Sequence, residues 1–205
     1  MVSLRNVSKS YGKKVIFKDV SMDIDGGEPV VFMGSNGCGK STLLRIIAGL
    51  LHCTTGEVVH LPEIKISYVP DRFPKLPFKV NDYLRHMGRI QKISDGDILK
   101  YMRTMFERLN IPEHIETQKI PHCSKGTIQK INIMQALITR PDLLILDEPF
   151  SGLDEDTVEV MVELLKNMEE THIVLSCHEK ILAQRLAEKV FVFRKGAVVN
   201  EVFAY

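Results

Sequence analysis

Gly34-Ser35-Asn36-Gly37-Cys38-Gly39-Lys40-Ser41 fits the pattern GxxxxGK[ST] at every fixed position. Pro29 to Met33, just before it, is a short apolar run. Thr42 to Leu51, just after it, is apolar on nearly every side, so the segment reads as strand, loop and buried helix. Glycines at that junction let consecutive backbone N–H groups turn inward as an anion nest, which side chains would obstruct. The N-terminus of the helix adds its partial positive charge. Lys40 is placed to reach the β- and γ-phosphates and Ser41 to ligate Mg²⁺. The stretch from Gly34 to Thr42 therefore predicts a triphosphate site, with Cys38 as a small filler at a variable loop position.

Working outward, a second acidic signal lies at Leu143-Leu144-Ile145-Leu146-Asp147-Glu148-Pro149. Four consecutive apolar residues predict a strand buried on both faces, whose end presents two adjacent carboxylates. Asp147 suits the Mg²⁺ shell and Glu148 suits polarisation of an attacking water. Between the two signals the character changes. Prolines cluster at Pro70, Pro74 and Pro77, and Val80 to Ile90 and Ile98 to Leu109 show helical spacing with charged outer faces. This predicts a helical insertion closed by Pro121, followed by a helix from Ser124 to Thr139.

The flanks complete an alternating pattern. β-rich segments run from Val2 to Val7 and Val15 to Ile24, broken by the turn signals Tyr11-Gly12 and Gly26-Gly27. After Glu148 come a helix (Val158 to Met168), a buried strand (His172 to Ser176), a helix (Lys180 to Lys189) and closing strands (Val190 to Phe193, Ala197 to Phe203). Strands alternating with helices predict an α/β fold with a mostly parallel core sheet. No internal repeat, low-complexity tract or flexible linker interrupts it.

Composition narrows the partners. In 205 residues, 27 Lys+Arg against 26 Asp+Glu leave a net charge of +1, so the chain has no global attraction for nucleic acid or anionic lipid. A charged ligand must be held by local geometry. The four cysteines lack CxxC or CxxH spacing, which argues against structural zinc or a disulfide framework. No apolar run approaches the roughly 18 to 20 residues of a spanning helix, and MVSLRNVSKSYGKK has no signal-peptide core. The expectation is a cytosolic chain.

Several further segments line up in order with these motifs and resemble the nucleotide-binding subunits of ABC transporters. Ser124-Lys125-Gly126-Thr127-Ile128-Gln129 looks like a variant of the family's LSGGQ signature. Ser151-Gly152-Leu153-Asp154 looks like its D-loop, His178 like its switch histidine, and Tyr11 like the aromatic residue that stacks on adenine. The resemblance covers essentially the whole chain. It implies a single cassette: a core with an N-terminal antiparallel β subdomain (1–70 and 140–205) and a helical subdomain with the signature helix (about 71–139). It also implies ATP and Mg²⁺ as ligands and a head-to-tail dimer, homo- or heteromeric, in which the Ser124 and Gly126 nest grips the γ-phosphate held by the other subunit. The partner so implied is an integral membrane permease, which would keep the chain on the inner face of the membrane, with no nucleic acid.

Two departures stand out. The Tyr68-Val69-Pro70 stretch leads in the family into a metal- and water-sensing glutamine, whereas here the aligned residue is Asp71, shorter and anionic. The signature carries Lys125 and Thr127 where glycine and glutamine are usual, and SKG signatures resemble those of exporter ATPases of the drug and bacteriocin type. The reading is thus an ATP-hydrolysing subunit driving export. The alternatives are a soluble ABC ATPase not tied to transport and a weakly hydrolysing partner in an asymmetric heterodimer. A P-loop kinase or GTPase has no use for the signature, and no NKxD motif appears.

Overall fold

The computed structural model describes residues 1–25, 28–74, 76–187, 189–194 and 197–202. The Gly26-Gly27 turn signal and the Phe203 end of the last strand lie outside the described residues. As expected, the fold is α/β, built on two sheets. The smaller is antiparallel, in the order β2-β1-β4, from β1 (Val2–Tyr11), β2 (Lys14–Ile24) and β4 (Thr55–His60). The larger has the order β5-β6-β7-β3-β8-β9. Its members are β3 (Val30–Met33), β5 (Ile66–Val69), β6 (Leu143–Leu146), β7 (His172–Cys177), β8 (Lys189–Arg194) and β9 (Ala197–Val202). The first five of these in sheet order are mutually parallel, and only the β8 to β9 pairing is antiparallel.

Parallel pairing decides where the chemistry sits. Val69 pairs with Leu146, Leu146 with Leu175, and Cys177 with Met33. The residues that follow each strand, Asp71, Asp147, His178 and Gly34, therefore emerge along one edge, the carboxyl edge where open α/β sheets bind ligands. Every residue of β6 is fully buried, which its neighbours on both sides and both faces explain.

The helical insertion consists of α2 (Val80–Ile90) and α3 (Asp95–Arg108), packed with α4 (Lys125–Leu137) around Leu84, Ile98, Met102, Ile131 and Met134. α2 and α3 approach closely at Gly88, where any side chain would overlap Ile98. α4 bridges this cluster to the sheet. Tyr101 Oη donates to Met134 O (2.7 Å), Ser67 Oγ to Ala136 O (3.1 Å), and buried Asn132 Nδ2 to Pro70 O (3.2 Å).

Element boundaries differ from the sequence reading for identifiable reasons. α1 spans Lys40–Ile47, and the chain leaves it at Gly49 (φ 71°), where Gly49 N–H bonds Ile46 O and Leu50 N–H bonds Arg45 O. α5 (Glu155–Lys166) starts before Val158, since Asp154 caps it and acidic residues fill its first turn. α6 ends at Leu186. β4 went unpredicted because most of its side chains are exposed, so no apolar alternation marks it.

Asp95 clamps α2 to α3. It accepts from Arg89 Nε and Nη2 (2.8 and 2.6 Å) and from Arg85 Nη2 (2.9 Å). Those bonds, Arg89's first, hold its carboxyl well below the usual range. A carboxyl whose folded pKa is depressed stabilises the fold above its unfolded value, about 3.9, and loses that contribution as pH falls below it. Asp95→Asn should therefore lower Tm at pH 7 relative to wild type, with the gap closing below about pH 4; melts followed by circular dichroism across that range check both parts.

Candidate active site

The loop from Gly34 to Gly39 leaves β3 and enters α1 in a conformation that few side chains permit. Gly39, the residue preceding α1, has φ 119°, and a Cβ there would lie 2.7 Å from Ile16 Cγ2. Gly34, at φ 149°, leaves no room either: its Cβ would lie 2.7 Å from Cys38 Sγ. Cys38 thus packs beneath the loop, its N–H bonding Ser35 O (3.2 Å). Asn36, Gly37, Gly39, Lys40, Ser41 and Thr42 line a cleft of about 640 Å³, whose other wall carries Asp71, Glu148, Ser151 and His178.

Lys40 is only 5% exposed. Its ammonium donates to Gly34 O (2.7 Å) and lies 3.2 Å from Glu148 Oε1, a charge contact rather than an aligned hydrogen bond. Glu148 Oε2 faces His178 Nδ1 at 2.9 Å. An ionised carboxylate only accepts, so Nδ1 carries the hydrogen. Asp147, 2% exposed, is held by hydroxyls: Ser41 Oγ (3.0 Å) and Ser176 Oγ (2.8 Å) on Oδ1, and Tyr68 Oη (3.3 Å) on Oδ2. A buried carboxylate beside a hydroxyl, with hard oxygen donors only, fits a Mg²⁺-type cation.

The structure thus brings Lys40, Ser41, Asp71, Glu148 and His178 to one cleft, with Asp147 buried behind Ser41. Asp71 stands at the cleft wall, half-exposed, 4.0 Å from Arg72 Nε. Other predicted residues stand apart. Tyr11 is 52% exposed, with Lys9 Nζ 4.9 Å from its ring centroid. Ser124 caps α4, accepting from Thr127 N–H (3.1 Å), and Asp154 caps α5, accepting from Thr157 N–H (2.9 Å). Hydrogen bonding from Thr157 lowers the Asp154 pKa. Gly126 packs against the loop that carries Ser151, since a Cβ there would lie 2.9 Å from Gly152 O, and Lys125 Nζ donates to Ser151 Oγ (2.8 Å).

Sequence reasoning missed Ser176, Tyr68 and Ile16. Ser176 carried one faint signal, a polar residue inside an apolar strand. Ile16 lies against the phosphate loop, and with Lys14, Val15, Lys18 and Phe193 it lines a hollow beside Ser35, Gly37 and Cys38.

Comparison with known proteins agrees with this geometry. The family model described as "ABC transporter" matches residues 17–151. An uncharacterized ABC transporter ATP-binding protein, YhaQ of Bacillus subtilis (strain 168), is 33% identical over 97% of this chain and 70% of its own length. The maltose/maltodextrin import ATP-binding protein MalK of Mannheimia succiniciproducens is 35% identical over 97% of this chain, which spans 57% of MalK. Among solved structures, an ATP-binding cassette captured as a dimer in a post-hydrolysis state with ADP and Pi superposes with a TM-score of 0.87. It shares 26% identity, with 100% of both chains covered.

Gly39→Ala places a methyl group against Ile16 at a backbone angle unsuited to it. The variant should lose about 1–3 kcal/mol of stability and bind triphosphate weakly; denaturant melts and a nucleotide titration measure the two effects.

Proposed function

The chain belongs to the ABC transporter family, and on that premise we propose that it is the ATP-binding, ATP-hydrolysing subunit that drives a separate membrane permease. The observation that carries the reading is the meeting of Lys40, Glu148 and His178 within hydrogen-bonding or ion-pair distances at one sheet edge, next to the hydrogen bond from Ser41 to Asp147. The backbone nest from Gly34 to Ser41 receives the phosphates, and Lys40 exchanges Glu148 for a phosphate oxygen. Glu148, released from the ammonium and still aligned by His178, orients the attacking water and takes its proton. Ser41 and Asp147 would hold Mg²⁺, which supplies neutralisation of charge developing on the phosphates. In-line attack on the γ-phosphorus yields ADP and phosphate.

One subunit grips the triphosphate from one side. The proposed dimer closes it with Ser124 and Gly126 of a second subunit, with Asp154 beside that contact, two chains enclosing two ATP molecules. The dimeric cassette with ADP and Pi supports this arrangement. Tyr11 offers an exposed ring to adenine, although stacking there requires Lys9 to share or leave it. Asp71 is proposed to act towards the metal, against the pull of Arg72.

The helical insertion is the proposed docking face for the permease. Phe78, half-exposed, borders a cleft of about 430 Å³ with Asp82, Tyr83, Arg85, His86 and Arg89. No helix among the described residues is long and apolar enough to cross a membrane. Outward transport is supported by the signature at Ser124 to Thr127, whereas similarity to MalK, named for import, argues for the reverse. Substrate movement into or out of inside-out vesicles decides the direction.

Glu148→Gln keeps the shape of the side chain and removes its basicity. It should bind MgATP, turn over at least 100-fold more slowly and accumulate as a dimer in light scattering. A monomer in saturating MgATP would contradict the homodimeric sandwich.

A further inference from the structure

Ser176 interrupts the apolar run of β7 and is completely buried. Its hydroxyl has one hydrogen to give, and gives it to Asp147 Oδ1 at 2.8 Å. A lone pair on the same oxygen accepts the Glu148 N–H, also at 2.8 Å. One atom thus bonds two consecutive residues to which the proposed function gives different tasks, holding metal and activating water.

Glu148 depends on such a restraint. Its φ of 51° lies in the left-handed region, which a residue with a side chain occupies only where its surroundings over-determine it. Three contacts do so here: Ser176 on the backbone N–H, His178 on Oε2 and Lys40 on Oε1. Two of them come from one short stretch, the end of β7 and the residue that follows it. β7 lies between β6 and β3 in the sheet, so the strand that separates Glu148 from the phosphate loop also sets the direction of its backbone and of its carboxylate.

We infer that Ser176 is a positioning residue for ATP hydrolysis: its hydroxyl locks the left-handed turn at Asp147 and Glu148, so that both carboxylates keep one mutual orientation. The inference rests on the roles proposed above for Asp147 and Glu148. Ser176, completely buried, acts through its two neighbours. Replacing it with alanine orphans a backbone N–H and leaves Asp147 Oδ1 with Ser41 alone.

The test compares wild type with Ser176→Ala and with Ser176→Cys, which keeps the shape but offers only a weak S–H donor. Three quantities are measured: MgATP turnover, ATP binding in EDTA, and Mn²⁺ binding by electron paramagnetic resonance with a non-hydrolysable ATP analogue. Loss of a residue that orients a metal ligand costs about 10- to 100-fold in metal affinity or activity. Ser176→Ala should therefore lower kcat about 10- to 100-fold and weaken Mn²⁺ binding about tenfold. ATP binding in EDTA should stay within about twofold of wild type, and Ser176→Cys should fall between the two. Wild-type turnover and Mn²⁺ affinity in Ser176→Ala would overturn the inference. So would a loss of metal-free ATP binding in proportion to turnover, the mark of general damage to the fold. A wild-type chain with no metal-dependent turnover would instead sink the proposed roles of Asp147 and Glu148.

Discussion

A lysine ammonium taken almost wholly out of water must be paired or lose several kcal/mol, and Lys40 meets that demand with Gly34 O and the Glu148 carboxylate. The requirement reaches far into the fold. Lys40 follows β3 and Glu148 follows β6, which are not adjacent, since β7 lies between them. The ion pair therefore spans an intervening strand, and that strand and the residue after it supply Ser176 and His178 to the same carboxylate residue. Short, right-directed parallel strands are what make the span possible, because register brings their ends to one edge.

The same pairing suggests how binding is felt elsewhere in the molecule. In the proposed mechanism the phosphate takes Lys40 from Glu148, and Glu148 belongs to the loop that carries Ser151 and Gly152. That loop is bonded to Lys125 and packed on Gly126 at the start of α4. α4 in turn holds Pro70 through Asn132, one residue before Asp71. A continuous set of contacts thus runs from the phosphate loop to the helical insertion. In an ATPase that moves a partner, such a rigid route is what the proposed work requires.

The phosphate loop and the pair Asp147-Glu148 were legible in the sequence because their function fixes both residue type and spacing, and flanking apolar runs reveal strand and helix. The parallel core followed from the alternation of elements. What stayed hidden depends on contacts between distant segments. Tyr68 and Ser176 reach Asp147 from separate strands, and a lone hydroxyl in an apolar run has no pattern of its own. Ser124 and Asp154 illustrate the converse: each was read through a family motif, and in this chain each visibly caps a helix. Capping and nucleotide contact are compatible, since both use a helix N-terminus. Ile16, which packs against the phosphate loop, belongs to no motif and could be found only from the fold.

The most direct test of the account is a structure of the chain with Mg²⁺ and a non-hydrolysable ATP analogue. The phosphates should lie on the N–H groups of Gly34 to Ser41, Lys40 Nζ should have left Glu148 for a phosphate oxygen at about 2.8 Å, and Glu148 should remain bonded to Ser176 and His178. A nucleotide bound with the Lys40 to Glu148 pair intact, or with its phosphates away from the loop, would contradict it.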